Sequence, residues 1–502
     1  MERTPLGAEL EISLSIPQPG SRRTRRELYE QLRTAIRTGR LAPGLRMPAS
    51  RHLAQHLGVS RNTVITVYDL LISEGDLEAR PGSGTFVSAR PASEARQRPL
   101  WDMEGRIRPI WRDAGPISFT RSPRHFVLGA PDLAAFPWEL WRKIASRTLR
   151  SYSRAPIPGV SAQGAPALRQ AIAGHLSFAR GVACQAEDIV VTSGAQQAFD
   201  LLAKVLVHRP GVVVAVEDPG YGPIRKAFSA EGATVVGVPV DDEGIVVDAL
   251  ESDVEVVCVS PSHQFPLGVP MSPARRRALL DFARRTGAVV IEDDYDGEFR
   301  FDGRPLEALQ TLDVTQQVLY VGTFSKSLFP DLRLGFVVAP EWARAALEAA
   351  KMASDARSPI VAQHTLAAFI AEGHLARHVR RMRRMYGERR QTLLEAVGNA
   401  PPGWLTPYPS AAGLHLALRL PPEVEQVRFV GLVAALGVGI YPLSQFTVGP
   451  TDHNGVALGY GTLPKEDVRI GGSALVEAAF VAAKGWVGGP TPARASGSRR
   501  GQ

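Results

Sequence analysis

"GTFSKSLFPDLRLGF" (Gly322–Phe336) follows the apolar run "QVLYV", which reads as a buried strand. At its centre stands Lys326. The chain has seven lysines, and the other 51 of its 58 basic side chains are arginine. A lysine kept at a strand end, ringed by hydroxyls and with Arg333 seven residues on, marks a place where a guanidinium does not serve.

Outward from this stretch the same texture repeats. The apolar, β-branched runs "GVVVAVE", "ATVVGVPV", "VEVVCVS", "AVVIED" and "GFVVAP" alternate with helical stretches such as "SPARRRALLDFARRTG". That alternation predicts an α/β domain with a mostly parallel sheet covered by helices on both faces. Strands apolar along their whole length suit burial on both sides.

In open α/β sheets ligands gather at the C-terminal strand ends, and here those ends carry chemistry. After "DIVV" come Thr192, Ser193 and Gly194 leading into a helix, whose first N–H groups and positive dipole end can hold a phosphate. After "GVVVAVE" comes "DPGYGP" with Tyr221, and after "AVVI" comes "EDDYDGEF" with Asp293 and Tyr295. Singly these read as a cap, a core ring, a solvated acid and a surface lysine. Together they fit one ligand, pyridoxal 5′-phosphate (PLP), which has an aldehyde, a ring nitrogen, a phenolic oxygen, a π-face and a phosphate. A lysine amine forms the Schiff base, and a carboxylate keeps the ring nitrogen protonated so that the ring acts as an electron sink. Arginine stays protonated and cannot replace the lysine. Thr323, Ser325 and Arg333 suit a phosphate dianion, which Arg can engage with two parallel bonds.

The N-terminal part has a different character. Between Ser21 and Thr66 there are ten arginines against two glutamates, a charge balance that suits nucleic acid. "TRRELYEQLRTAIRTGRL" places Leu28, Leu32 and Ile36 on one helical face. "PASRHLAQHLG" and "VSRNTVITVYDLLISEG" are two further helices joined by a turn at Gly58, the second capped by Ser60. This is a helix-turn-helix, and its second helix opens with "SRNT", the end such helices point into the major groove. Arg pairs with guanine, Asn with adenine, and Ser or Thr with phosphate. "DLEARPGSGTFVSA" predicts a β-hairpin wing, strands near 77–80 and 85–87 around the tight turn "PGSG".

"LAPGLRMPASRHLAQHLGVSRNTVITVYDLLISEGDLEARPGSGTFV" resembles the winged helix of GntR-type bacterial regulators. The resemblance implies double-stranded operator DNA as partner, contacted by Arg51, Ser60, Arg61, Asn62, Thr63 and the wing residues Gly82, Ser83 and Gly84. Residues 125–485 resemble the fold-type I aminotransferases through "FPWELW", "VTSGAQQAFDLL", "EDPGYG", "PSHQFPLGVPMS", "IEDDYDGEF" and "GTFSKSLFPDLRLG". The combination with the winged helix resembles the MocR/GabR family of regulators. It implies a large domain with a smaller C-terminal lobe and a homodimer whose cofactor sites are completed across the subunits. By the same resemblance Lys326 is the catalytic Schiff-base lysine, Asp293 the ring-nitrogen partner, Tyr295 the partner of the phenolic oxygen and Tyr221 the stacking ring. Ser193, Gly194, Ala195, Gln196, Thr323, Ser325 and Arg333 hold the phosphate.

Two departures from the aminotransferase pattern follow. Phe265 stands in "FPLG" where Asn is usual, so His263 or Gln264 is expected to supply the missing hydrogen bond. The arginine that usually holds a substrate carboxylate maps near Val456 in "NGVALGYG", a stretch with no arginine. The effector is therefore expected to be PLP itself, or an amine whose acidic group meets Arg300 or Arg469.

The expected organisation is a DNA-binding module over 21–88, a Pro-rich linker over 89–124 in which Trp101 and Trp111 dock on a neighbouring surface, the PLP-binding domain over 125–485 and a disordered tail over 486–502. Cys184 and Cys258 lack metal-ligand spacing, so no metal is expected. No run is long and apolar enough for a membrane span, and the N-terminus lacks a secretory pattern. A reduced, cytoplasmic setting is expected. The function these readings imply is transcription regulation with an aminotransferase fold as sensor, with no net turnover expected beyond residual or half transamination; the alternative is an active aminotransferase carrying a DNA-binding module.

Overall fold

The computed structural model describes residues 22–88, 104–112, 122–154, 161–301 and 307–486. The chain divides into two units, Met1–Gly115 and Pro116–Gln502. Trp101, much of the expected linker and the tail from 487 onward lie outside the described residues.

In the first unit, helices α1 (Arg22–Arg37), α2 (Ser50–Leu57) and α3 (Arg61–Ser73) precede a hairpin of β1 (Leu77–Arg80) and β2 (Gly84–Val87). Leu28, Leu32, Leu53, Val64, Val67 and Leu71 are buried together, each contributing roughly 1.5–3 kcal/mol of apolar burial. The Ser60 side chain accepts the Thr63 N–H at 3.1 Å and so caps α3, and Gly58 turns left-handed at φ 63° to end α2. The wing is wider than the hairpin read from sequence. The Met47 N–H donates to the Thr85 carbonyl and the Val87 N–H to the Leu45 carbonyl, so residues 45–47 add a third row to the ladder. "GLRM" is too short and too mixed to signal a strand by alternation.

Where a semi-extended linker was expected, the described part contains a short helix, α4 (Pro109–Arg112). Proline fits the first helical position because it needs no N–H partner there. The Trp111 side chain is about half exposed.

The second unit begins with β3 (Arg124–His125), α5 (Trp138–Arg154) and α6 (Pro166–Arg180). Then come β4 (Ile189–Thr192), α7 (Ala195–Leu206), β5 (Val213–Asp218), α8 (Gly222–Glu231), β6 (Thr234–Asp241), β7 (Gly244–Ile245), β8 (Val256–Val259), α9 (Pro273–Thr286), β9 (Val289–Asp294), α10 (Leu309–Leu312), β10 (Val318–Thr323) and β11 (Gly335–Val338). These strands form one sheet in the order β4-β11-β10-β9-β8-β5-β6-β7. Neighbours from β10 to β6 run parallel, while β11 is antiparallel to both β10 and β4. The segment 324–334 is too short for a right-handed helical crossover, so the chain reverses and returns beside β10. That reversal is the stretch carrying Lys326 and Arg333.

Helices α11 (Glu341–Ser354), α12 (Ile360–Ala371) and α13 (His374–Val397) lead to a smaller lobe. Its strands are β12 (Thr406–Pro407), β13 (His415–Arg419), β14 (Val438–Gly439), β15 (Tyr441–Pro442) and β16 (Gly455–Gly459), with α14 (Gln426–Ala435) between and α15 (Lys465–Trp486) last. The order β12-β13-β16-β15 is antiparallel throughout, and β14 pairs with β3. The α/β class, the mostly parallel sheet and the smaller C-terminal lobe are as read from sequence. No helix among the described residues is long and apolar enough to cross a membrane.

Candidate functional site

The strand ends converge as their positions in the sheet require, because β9 and β10 are neighbours. Asp293 is the penultimate residue of β9 and is buried, and Lys326 follows β10. Burial is the main influence on both. It pushes the Asp293 carboxyl up to about 8, helped by Asp294 and Asp296 and opposed by Lys326. It lowers the Lys326 ammonium, against the pull of Asp296 and Asp293. Oδ1 of Asp293 is buried and has no hydrogen-bond partner among the described residues. Gly129, left-handed at φ +61°, faces the lysine; a Cβ there would lie 3.0 Å from Nζ.

The turn from β4 into α7 lies against Arg333. The Arg333 guanidinium donates to the Ser193 carbonyl at 2.8 Å. Gly194 has φ +85°, and a Cβ on it would meet the guanidinium at 3.1–3.2 Å, so only glycine allows both the turn and this approach. Ala195 opens α7, and Gln196 is exposed on its first turn. Thr323 Oγ1 donates to Ser325 Oγ at 3.1 Å and accepts the Ser325 N–H. The Tyr221 ring stands edge-on to Phe199 and Phe265, with centroids at 6.4 and 5.6 Å. Burial raises its hydroxyl to about 12, with Asp293 and Arg333 both acting on it.

Tyr295 has a partner the sequence did not announce. Its hydroxyl donates to the His263 carbonyl at 2.8 Å and lies 3.1 Å from His263 Nδ1. That nitrogen is 3.0 Å from each Asp296 carboxylate oxygen. The His415 ring is 4.5 Å from the His263 ring; burial first, then His263, keeps its pKa well below the usual value. Of the two residues expected to replace Asn at 265, Gln264 is committed to its own loop and to the segment after β5. Its amide donates to the Pro219 and Phe265 carbonyls and its oxygen accepts the Leu267 N–H. His263 Nε2 is buried without a partner among the described residues.

Gly129, Asp296 and His415 were not singled out from sequence. Asp296 lies inside the quoted "EDDYDGEF"; Gly129 and His415 had no local signal. His263, Asp296 and His415 each offer a ligand atom within 4.8 Å of the others. The His263–Asp296 and His263–Tyr295 hydrogen bonds, and the charges of Lys326 and His263 acting on His415, place this cluster in the same pocket.

On β16, Val456 and Leu458 point into the main core while Ala457 joins the cluster of Leu128 and Phe446. Both faces of that strand are apolar. Arg469 lies on the surface of α15, ion-paired with Glu466. Arg300 forms an isolated bridge with Ala412.

In the first unit Arg51, Ser60, Arg61, Asn62, Gly82, Ser83 and Gly84 are exposed and Thr63 half-buried. Ser60 and Thr63 share a hydroxyl contact of 2.8 Å. Arg46 was missed from sequence; its side chain lies beside Gly84, where a Cβ would be 3.2 Å from Nε, and adds a cation to the wing.

Residues 24–87 match the family model described as bacterial regulatory proteins, gntR family, and residues 156–470 match aminotransferase class I and II. The Rhizobium meliloti protein named "Probable rhizopine catabolism regulatory protein MocR" is 36% identical over 467 residues, covering 91% of this chain and 94% of its own length. The Corynebacterium glutamicum HTH-type pyridoxine biosynthesis transcriptional regulator PdxR is 33% identical over 462 residues, covering 92% and 97%. Among solved structures, the Pyrococcus horikoshii kynurenine aminotransferase covers 72% of this chain and 92% of its own, with 29% identity and a TM-score of 0.67. The aminotransferase class I and II fold family is PLP-dependent. With a gntR winged helix at residues 24–87 and an aminotransferase class I and II domain behind it, the chain belongs to the MocR-type regulators of the GntR family and is a DNA-binding transcription regulator.

Proposed function

We propose that this regulator holds PLP between the β4–α7 turn and Asp293, and that it works as a cytoplasmic homodimer on operator DNA. The observation that carries the reading is the buried Oδ1 of Asp293, without a hydrogen-bond partner among the described residues, opposite a lysine whose charge burial disfavours. A buried carboxylate oxygen without a donor is costly, and the ring N–H of PLP is a donor that would satisfy it. Arg333 at the Ser193–Gly194 turn supports the phosphate end.

Bound PLP supplies an aldehyde that condenses with an amine and a ring that accepts an electron pair. The protein's own contributions are separate. Lys326, whose charged form burial disfavours, is the amine that would meet the aldehyde. Asp293 orients the ring nitrogen. Arg333, Ser193, Gly194, Ala195, Gln196, Thr323 and Ser325 take the phosphate, and Tyr221 covers the ring face. Tyr295, whose hydroxyl donates to the His263 carbonyl, would be the partner of the phenolic oxygen, and His263, oriented by Asp296, would stand in for the usual Asn.

The effector follows from β16. Neither face of that strand offers a cation, and Arg469 is engaged by Glu466. A carboxylate buried there would find no arginine on the strand itself. The effector is PLP itself, or an amine whose recognition does not need an arginine on β16. The pyridoxine-biosynthesis name of the PdxR relative supports a vitamin B6-linked signal.

The test is absorbance of the purified full-length chain with PLP. Wild type is expected to be yellow, and Lys326→Ala to lose both that absorbance and the effector response in a gel shift while unfolding at a similar temperature. A Lys326→Ala protein with the wild-type spectrum would overturn the assignment. A steady-state transamination assay over amino acids, sulfonates and plain amines, run beside the gel shift, separates sensor from enzyme.

A further inference from the structure

Behind the phosphate end of the pocket lies a second lysine with no exposed surface, Lys351 on α11. Its Nζ is 3.0 Å from Gln197 Oε1, 2.6 and 2.8 Å from the two Asp355 carboxylate oxygens and 3.1 Å from Ser358 Oγ. An ammonium has three N–H groups, and here they meet three side chains drawn from α7, the end of α11 and the loop before α12.

All three of those side chains also hold Ser193. Gln197 Oε1 accepts the Ser193 N–H at 2.7 Å. Ser358 Oγ is 3.1 Å from Ser193 Oγ. Asp355 Oδ2 accepts from Gln197 Nε2 at 2.8 Å and lies 3.4 Å from Ser193 Oγ. Among the described residues the hydrogen bonds of Lys351 go to these three side chains, none of which is assigned to the phosphate.

The arrangement raises an electrostatic problem that Lys351 solves. Asp355 places a carboxylate beside the serine that opens the anion-binding turn, and a dianion at that turn would be repelled by it. Lys351, with its nitrogen within hydrogen-bond distance of both carboxylate oxygens, cancels that charge from the buried side. Arginine is a poor substitute, because its planar fork cannot divide itself among three acceptors that converge from different directions.

We infer that Lys351 is a positioning and specificity residue of the pocket: by neutralising Asp355 and fixing Ser193, it makes the β4–α7 turn select a phosphorylated ligand over its dephosphorylated counterpart. The inference rests on the proposal that PLP binds there.

The experiment compares equilibrium binding of PLP and of pyridoxal, which lacks the phosphate, to the full-length chain by absorbance. Lys351→Met is expected to weaken PLP binding by ~10- to 100-fold, the scale of a lost charge-assisted contact, and pyridoxal binding by less than about threefold. Asp355→Asn leaves the Lys351 charge uncompensated beside the turn and is expected to bind PLP at least as tightly as wild type, to within about threefold. The double variant Lys351→Met/Asp355→Asn buries no unpaired charge and is expected to recover most of the PLP affinity. Equal losses for PLP and pyridoxal in Lys351→Met would reduce the lysine to a packing role and overturn the inference. If Lys351→Met does not fold, the double variant decides: PLP binding more than tenfold weaker than wild type overturns it. Failure of wild type to bind either ligand would instead overturn the proposed cofactor, a distinguishable result.

Discussion

Asp293 illustrates how one buried atom carries a testable consequence. In the folded, cofactor-free chain burial lifts its carboxyl from 3.8 to about 8. Between those values the folded state keeps a proton that the unfolded state releases, so stability falls as pH rises from about 4 to about 8. One such proton contributes a slope of at most about 1.4 kcal/mol per pH unit. Glu217 and Glu292, raised by burial to about 8 and about 7, add to the same trend. Asp293→Asn is therefore expected to flatten, not abolish, the decline, read from urea unfolding of cofactor-free protein at several pH values. An unchanged slope would remove the claim that Asp293 is held protonated.

At the scale of elements, α3 and the wing separate two kinds of DNA contact. Arg61 and Asn62 stand exposed on the first turn of α3, which Ser60 caps. Arg51 stands exposed on α2, and Arg46 lies by the wing turn. If Arg61 reads a base, Arg61→Ala costs roughly 1–3 kcal/mol on operator DNA and relaxes specificity. Arg51→Ala, at a phosphate, weakens binding to all sequences and lowers the salt slope by about one. Gel shifts at several salt concentrations on operator and scrambled DNA check this. Both variants binding operator as wild type does would sink the recognition-helix assignment.

At the scale of the whole molecule, the proposed homodimer is open to a direct measurement. A two-fold dimer presents two winged helices to two half-sites. Light scattering of the full-length protein at micromolar concentration is expected to give twice the 54.2 kDa chain mass. A monomer alone under those conditions would count against both the dimer and a cofactor site completed across subunits.

What the sequence determined by itself was local: periodic apolar runs, capped helices, the "PGSG" wing turn and the residue types at strand ends. Ser60 capping α3 and Lys326 following β10 are such features, because a cap and a strand end are settled within a few residues. The tertiary structure decided what distant segments do to one another. It reversed β11, added residues 45–47 to the wing, brought Gly129 to Lys326 and His415 to His263, and gave Tyr295 a partner 32 residues away. It also gathered Gln197, Lys351, Asp355 and Ser358 around Ser193, across up to 165 residues of chain. Hydrogen bonds and buried charges depend on distance in space, and no spacing along the chain encodes which of several suitable side chains will be within 3 Å once the strands are in order.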